Sequence, residues 1–440
     1  MDDTIPGNAR ASTIHEEGDA SALASAMSKA GWRLMPLLIL AFVINGLDRT
    51  NVGFAALTMK QDLGLTATQF GYGAGLLFVT YCLLEIPSNL AMYRFGASRW
   101  LARILVSWGI LAAATGFVVG PTSFYVVRLL LGAAEAGFTP GVVFLLTLWF
   151  PNSYRTRMMA WFMAAIPLSS MVGGPLSVGL LQMMNGVAGL AGWRWMFIIE
   201  GLPATVLGFA FLLMLADEPR QARWLSPVEK RALQAALAVE HSTSDARKRF
   251  LPALRDARMY ILALALFGIT LGSFGIVIWL PQMLKMHSVP VGQIGWLSAI
   301  PYLFGTLGML LWSWLVDRRG HRIRHTVTAC ILAGVALAVS TMFGSLAVLI
   351  VAITAALIGI SAGRSIFWTI PSLFLAGQAA AGGLALINCV GAFGGFVGPY
   401  MMGVLVDRTG SFEAGITALA TVLVLSAFLL VSLRIFMQDR

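Results

Sequence analysis

The sequence has 440 residues, of which 58% are hydrophobic and only 11% are charged, and its formal net charge is +10. Soluble proteins have about 25% charged residues, so the composition excludes an ordinary soluble domain and indicates a membrane protein. The positive charge does not indicate a nucleic-acid partner, because the lysines and arginines are concentrated in short breaks between apolar tracts.

Twelve apolar tracts follow one another along the chain. A bilayer core about 30 Å thick requires about 20 apolar residues in a helix, whereas barrel strands would be about 10 residues of alternating polarity. Because lipid offers no hydrogen-bond partners to peptide groups, tracts of this length must be helical. We therefore predict an all-α membrane protein with twelve transmembrane helices. The predicted spans are 33–56, 70–93, 99–119, 122–149, 157–184, 192–216, 257–284, 292–316, 326–344, 346–375, 380–406 and 413–436.

The longest break between spans, from Asp217 to Arg258, follows the sixth span and divides the membrane part into equal halves. Inside it, Ser226 is predicted to cap a short surface helix, with Pro227 in the first turn and Glu229 completing a capping box. The predicted division is a cytoplasmic N-terminal tail at 1–31, an N-terminal six-helix half at 32–216, a cytoplasmic linker at 217–256, a C-terminal six-helix half at 257–436 and a cytoplasmic tail at 437–440.

The two halves share motifs at one offset of 224 residues. An Arg-x-Gly motif at 94–96 recurs at 318–320, and a Gly-Pro pair followed by a glycine at 174–179 recurs at 398–403. Two separate loops that agree on one offset indicate an internal repeat. Parallel six-helix repeats around a central site are a transporter architecture.

The basic residues also predict the orientation in the membrane. Breaks after spans 2, 4, 6 and 8 are rich in arginine and lysine, whereas the opposite breaks contain only single basic residues. By the positive-inside rule, the basic breaks and both termini are cytoplasmic. The polar first 30 residues lack the basic start and short apolar core of a secretory signal, so the first span is predicted to remain as an anchor. We expect a multi-pass protein of the plasma (inner) membrane.

Nothing in the sequence points to an enzyme. It has no glycine-lysine loop for phosphate, no His or Cys spacing for a metal and no soluble catalytic domain, so we expect neither a metal nor energy from ATP. The three cysteines, Cys82, Cys330 and Cys389, fall within predicted spans. We interpret them as buried small apolar residues, without a disulfide.

Four charged residues in spans 1 and 4 are the strongest candidates for function, because charges in lipid are costly and usually face a partner or a cavity. Asp48 and Arg49 are neighbours and project about 100° apart on a helix. Arg128 and Glu135 are two turns apart and share a face of span 4. An arginine fork matches a carboxylate, and an acid can hold a proton in one state and pair with an arginine in another. The alternative is a structural ion pair that only fixes packing.

The other charges in spans are less informative. Glu85 is either part of a polar cavity wall or a helix-packing contact. For Arg194 and Glu200, at the outer end of span 6, we favour a structural role. Arg364 stands alone in a long charge-free tract of the second half, which favours contact with an anionic substrate. Aromatic residues near these positions are candidates for lining a cavity: Trp161, Phe367 and Trp368.

Seven stretches carry a family resemblance that covers about residues 30–435. They are "GLDRTNVGFA" (46–55), "EIPSNL" (85–90), "RLLLGAAEAGFTPG" (128–141), "LLTLWFPNSYRTRMMA" (145–160), "GWRWMFIIEGLPA" (192–204), "DRRGHR" (317–322) and "INCVGAFGGFVGP" (387–399). Together they resemble the major facilitator superfamily, and within it the anion:cation symporters that include sugar-acid, tartrate and phthalate permeases. Two positions depart from that pattern. The usual aspartate of the first cytoplasmic loop motif is replaced near Tyr93, and Ala392 stands where an asparagine that contacts substrate is common.

The resemblance implies the major facilitator fold and a secondary active transporter. It would import a small organic anion, such as a sugar acid, a dicarboxylate or an aromatic acid, by alternating access, with protons as the coupling ion and no other cofactor. The implied proton-coupling residues are Asp48 and Glu135. The predicted substrate-binding residues are Arg49, Arg128, Arg364, Tyr81, Asn388 and Trp368.

Two other functions remain open. The first is a proton-driven exporter of drugs or metabolites, which is disfavoured because position 170 is serine in the glycine pattern that leads to Gly174-Pro175. The second is a sensor that binds its ligand without transport. The expected partners are the organic anion and the lipid bilayer, and the resemblance implies a monomer.

Overall fold

The computed structural model describes residues 7–242, 256–371 and 377–438, and within these ranges the regular structure is helical. The α-helices are α1 Gly7–Asp62, α2 Ala67–Phe95, α3 Ala97–Ala114, α4 Pro121–Glu135, α5 Phe138–Trp149, α6 Asn152–Met163, α7 Ala165–Met183, α8 Gly192–Met214, α9 Pro227–Ser242, α10 Ala257–Met286, α11 Val291–Arg319, α12 Arg322–Ser340, α13 Leu346–Phe367, α14 Gly377–Thr409 and α15 Glu413–Gln438. Among the described residues, twelve helical segments are long and apolar enough to cross a membrane. The predicted fold class, all-α with twelve spans, is confirmed.

Two predicted spans are each divided into two helices. Span 4 comprises α4 and α5, separated at Ala136 and Gly137, and span 5 comprises α6 and α7, separated at Ala164. Gly137 adopts a left-handed conformation with φ of +87°, which favours glycine. The hydroxyl of Ser88 donates to the carbonyl oxygen of Ala136 at 2.6 Å, so this carbonyl is satisfied although the helix is interrupted. Irregular backbone at membrane depth is tolerated where protein groups satisfy it in this way.

The surface helix in the linker forms as the capping box predicts. The backbone N–H of Glu229 donates to Ser226 Oγ at 3.2 Å, and the Glu229 carboxylate accepts from the backbone N–H of Ser226 at 2.8 Å. The same carboxylate also binds Lys29 Nζ and Ser25 Oγ of α1, each at 2.7 Å. These hydrogen bonds, led by that from Lys29, lower the pKa of Glu229 to about 2. Glu229 therefore fastens α9 to α1, which begins at Gly7, long before the predicted start of span 1 at residue 33.

The packing of the two halves reproduces the offset of 224 residues. Gly71 of α2 packs against the backbone of Pro399 in α14. Its equivalent, Gly295 of α11, packs against the backbone of Gly174 and Pro175 in α7. A side chain at either glycine would collide with the facing helix. Each half therefore contributes the same glycine and the same Gly-Pro turn to the other half, which supports the repeat.

Contacts between the halves lie at the end of the bundle that is remote from the chain termini. Asp407, near the end of α14, accepts hydrogen bonds from the backbone N–H groups of Ala67 and Thr68, at the start of α2, at 3.0 and 2.7 Å. At the same end, Lys285 Nζ of α10 donates to the carbonyl oxygen of Leu57 in α1 at 2.7 Å. The side chain of Arg364, deeper in α13, is exposed. We therefore describe the structure as closed at the remote end, with a central cleft that opens toward the end carrying the termini.

The interpretation of the cysteines was wrong for two of the three. Cys82 of α2 and Cys389 of α14 form a disulfide that joins the two halves, whereas Cys330 is buried and free, as predicted. The two bonded residues are 307 positions apart, so only the packing of α2 along α14 brings them together.

Candidate functional site

An ion pair between α1 and α4 lies at the centre of the first half. Glu135 Oε1 accepts from Arg49 Nη2 at 2.5 Å and from Arg49 Nε at 2.8 Å. The same oxygen accepts from Asn45 Nδ2 at 2.5 Å, while Oε2 has no partner among the described residues. The Glu135 side chain is fully buried, whereas that of Arg49 is 22% exposed. The guanidinium of Arg49 also lies 5.1 Å from the centre of the Tyr81 ring. Arg49 is thus held between a buried acid and the cleft.

Asp48 points to different partners, as its 100° separation from Arg49 predicts. Trp108 Nε1 of α3 donates to Asp48 Oδ2 at 3.0 Å, and Asn51 Nδ2 donates to Oδ1 at 3.4 Å. Asp48 is 2% exposed. Its charge attracts that of Arg128, so the two acids and two arginines form one electrostatic cluster.

Arg128 is buried more deeply than a residue in direct contact with the cleft. It is 1% exposed and donates from Nη2 to the carbonyl oxygen of Ala74 at 3.1 Å. Its Nε and Nη1 have no hydrogen-bond partner among the described residues. A buried guanidinium with unused donors is an unsatisfied site for an anion. A solute in the cleft would meet Arg49 first, and contact with Arg128 would require Arg49 or its surroundings to move.

Glu85 and Asn388 connect the two halves. Asn388 Nδ2 of α14 lies 3.0 Å from both carboxylate oxygens of Glu85 in α2. Of the two interpretations left open for Glu85, the structure shows the contact between helices. Because its amide nitrogen is engaged here, Asn388 offers its amide oxygen to any other partner.

The second half brings Arg364 to the cleft. Its side chain is exposed, and its charge repels that of Arg49, so the two guanidinium groups face the same region from opposite halves. Trp368, at the end of α13, is 37% exposed and meets the ring of Phe367 edge-on, with 5.8 Å between ring centres. Phe367 itself is fully buried, so the expectation that it lines the cavity was wrong. Trp161 is 56% exposed.

Sequence reasoning missed three polar partners of the charged cluster: Asn45, Asn51 and Trp108. The two asparagines flank Asp48 and Arg49 at helical spacing in "NGLDRTN", which places them beside the acids and would have identified them. Trp108 gave no signal, because one tryptophan in an apolar span resembles any other. Within the described residues, no group of His, Cys, Asp and Glu is arranged to hold a metal ion.

Comparison with known proteins now adds to this geometry. Residues 38–399 match the family model of the Major Facilitator Superfamily. The chain belongs to this superfamily. It is 44% identical over 407 residues to a putative tartrate transporter of Agrobacterium vitis, covering 92% of this chain and 90% of that protein. It is 39% identical over 401 residues to a quinolone resistance transporter of Acinetobacter baumannii, covering 90% and 92% of the two chains.

Among solved structures, the fold is similar to a bacterial homologue of the human lysosomal transporter Spinster in an inward-facing and occupied conformation. The TM-score is 0.77 at 16% identity, and the match covers 92% of this chain and 97% of the other. At this identity, the likeness shows the fold alone. The chain is thus a multi-pass membrane transporter of the Major Facilitator Superfamily and not an enzyme. The names of its relatives are consistent with the anion:cation symporter group.

Proposed function

We propose that this transporter imports a small organic anion together with protons. The observation that carries the proposal is the pair of Arg49 and Glu135 beside the cleft, with Arg364 facing it from the other half. Two guanidinium groups in one region, of which only Arg49 has an acid at hand, favour a negatively charged solute. Arginine binds carboxylates through paired, charge-assisted hydrogen bonds.

Proton coupling follows from competition for the arginines. In the structure, Glu135 occupies Arg49 Nε and Nη2, the donors that a substrate carboxylate would use. Protonation of Glu135 would remove its charge and release these donors to the substrate. Asp48 would act in the same way on Arg128. On the opposite side of the membrane, loss of the protons would restore both acids as competitors and expel the substrate.

The proposal also fixes an orientation. The positive-inside rule places the arginine-rich breaks and both termini in the cytoplasm. The open end of the cleft then faces the cytoplasm, and this state is the one that has released substrate and protons. The membrane is the plasma (inner) membrane, and the transporter is a monomer that cycles by alternating access of its two halves.

The substrate class that fits best is a small dicarboxylate or sugar acid. One carboxylate would bind Arg49 and Arg128 in the first half, and a second acidic or polar group would reach Arg364 in the other. Tyr81 and Trp368 would cover the apolar faces, and Asn388 would offer its amide oxygen to a substrate hydroxyl. The relative named as a putative tartrate transporter supports this class.

Export of drugs or metabolites is the second candidate, and the relative named as a quinolone resistance transporter favours it. The two functions predict different ligands. A thermal-shift panel on the purified protein should therefore include tartrate, a sugar acid, phthalate, a quinolone and an uncharged sugar alcohol. A ligand that binds the native state raises the unfolding temperature. We expect stabilisation by at least one organic acid and none by the sugar alcohol. Stabilisation by the quinolone alone would favour the exporter.

A further inference from the structure

Glu200 of α8 is a buried carboxyl group that the proposed coupling does not use. Its side chain lies inside the first half and is 4% exposed. Glu200 Oε1 accepts a hydrogen bond from the Ser177 hydroxyl of α7 at 2.7 Å. Oε2 is buried and has no hydrogen-bond partner among the described residues. A simple packing role leaves this second oxygen unexplained.

Asn51 has a matching unsatisfied atom. Its fully buried side chain lies near both Asp48 and Glu200. Asn51 Nδ2 donates to Asp48 Oδ1 at 3.4 Å, so the amide nitrogen faces Asp48. Asn51 Oδ1 has no partner among the described residues. An amide oxygen and a carboxylate oxygen are both acceptors and cannot satisfy each other.

The surroundings of Glu200 contain no counter-charge within the described part of the chain. From α1, the charged group that faces Glu200 is Asp48, which carries the same sign. From α7 it meets the Ser177 hydroxyl, and α3 presents small residues such as Ala112. Arg194 lies on the same helix but donates to a backbone carbonyl of another segment. An ionised carboxyl that is buried without a cation is strongly disfavoured and takes up a proton instead.

We propose that Glu200 is a neutral carboxylic acid that donates its Oε2 proton to Asn51 Oδ1 and thereby holds the amide nitrogen of Asn51 toward Asp48. One proton satisfies both unsatisfied atoms. Glu200 is then a positioning residue, and its proton stays in place during transport while that of Asp48 moves. The consequence for transport rests on the proposed role of Asp48 in proton coupling.

Two substitutions separate this role from packing and from proton carriage. Glu200→Gln keeps a donor for Asn51 and an acceptor for Ser177, so proton-driven uptake should retain its dependence on pH. Glu200→Met keeps a similar volume but removes the donor. Asn51 then loses its orientation, and the ionised form of Asp48 loses a hydrogen bond. The pH of half-maximal uptake into proteoliposomes should rise by about one unit, a roughly tenfold gain in proton affinity. Ser177→Ala is the matched control, since it leaves the donor in place.

Infrared spectroscopy tests the neutral state directly and does not depend on transport. The wild type at neutral pH should show the carbonyl band of a protonated carboxylic acid, and Glu200→Gln should lack it. Absence of that band from the wild type, or loss of proton-driven accumulation in Glu200→Gln, would overturn the proposal. If the wild type showed no proton-driven uptake, the proposed function would fail, while the infrared result would still decide the state of Glu200. The same measurement applies if Glu200→Met does not fold.

Discussion

Replacement of Arg128 by lysine tests whether this buried guanidinium binds the substrate. Arg128 uses Nη2 for the carbonyl oxygen of Ala74 and has Nε and Nη1 unused. A guanidinium can keep the Ala74 contact and still offer a second donor edge to a carboxylate, whereas one ammonium cannot do both in a fixed geometry. The loss of a hydrogen bond to a charged group costs about 1.5–3 kcal/mol. We therefore expect Kd to rise roughly 10- to 150-fold, since 1.4 kcal/mol is a factor of ten.

The assay is calorimetric titration of the purified variant with the acid that stabilises the wild type most. Arg103→Lys is the matched control, because Arg103 is a half-buried arginine of α3 that stacks 4.1 Å from the Trp100 ring, outside the charged cluster. Its Kd should equal that of the wild type. Equal yields and unfolding temperatures of the two unliganded variants would show that the fold is intact.

Wild-type affinity in Arg128→Lys would refute the substrate role of Arg128. The cluster of Asp48 and Arg128 would then be structural, and substrate recognition would rest on Arg49 and Arg364. An equal loss of affinity in Arg103→Lys would instead show that the assay reports general damage to the first half.

Three further predictions address other parts of the molecule. Arg364→Ser should weaken binding of a dicarboxylate more than that of its monocarboxylate analogue, and calorimetry showing equal losses would indicate a structural arginine. Because the disulfide between Cys82 and Cys389 joins the two halves, a reductant should accelerate substrate exchange in proteoliposomes and should have no effect on Cys82→Ser. Equal exchange before and after reduction of the wild type would mean that α2 and α14 do not separate there during transport. The lowered pKa of Glu229, about 2 against an ordinary 4.5, stabilises the fold above pH 4.5, and this contribution is lost as the pH falls toward 2. The unfolding temperature of the wild type should therefore exceed that of Glu229→Gln at pH 6, and the difference should shrink toward pH 3; a constant difference would contradict the assignment.

The sequence predicts the spans well because hydropathy is a local property, and each helix crosses the membrane whatever its neighbours are. The capping box at Ser226 and Glu229 was predictable for the same reason. The partners of the charged residues were not, since Arg49 and Glu135 are 86 positions apart and many other pairings fit the same pattern. The divided span 4 was signalled by Gly137, but a glycine also occurs in continuous membrane helices, so the local pattern did not distinguish the two.

The disulfide shows the same limit more sharply. Each of Cys82 and Cys389 lies in an apolar span, where a small buried thiol is the ordinary expectation. Only the approach of α2 to α14, which glycines such as Gly71 permit, brings the two sulfurs together. Information of this kind lies in the packing of distant segments and not in the composition of either one.

Uptake of labelled substrate into proteoliposomes that contain Asp48→Asn or Glu135→Gln tests the coupling mechanism most directly. Each substitution imitates the protonated acid, so the arginine it faces stays available to the anion on both sides of the membrane. We predict that both variants exchange substrate in a counterflow assay without any gradient but do not accumulate it when an inward proton gradient is applied, whereas the wild type does both. Accumulation by both variants to the wild-type level under the proton gradient would contradict the account.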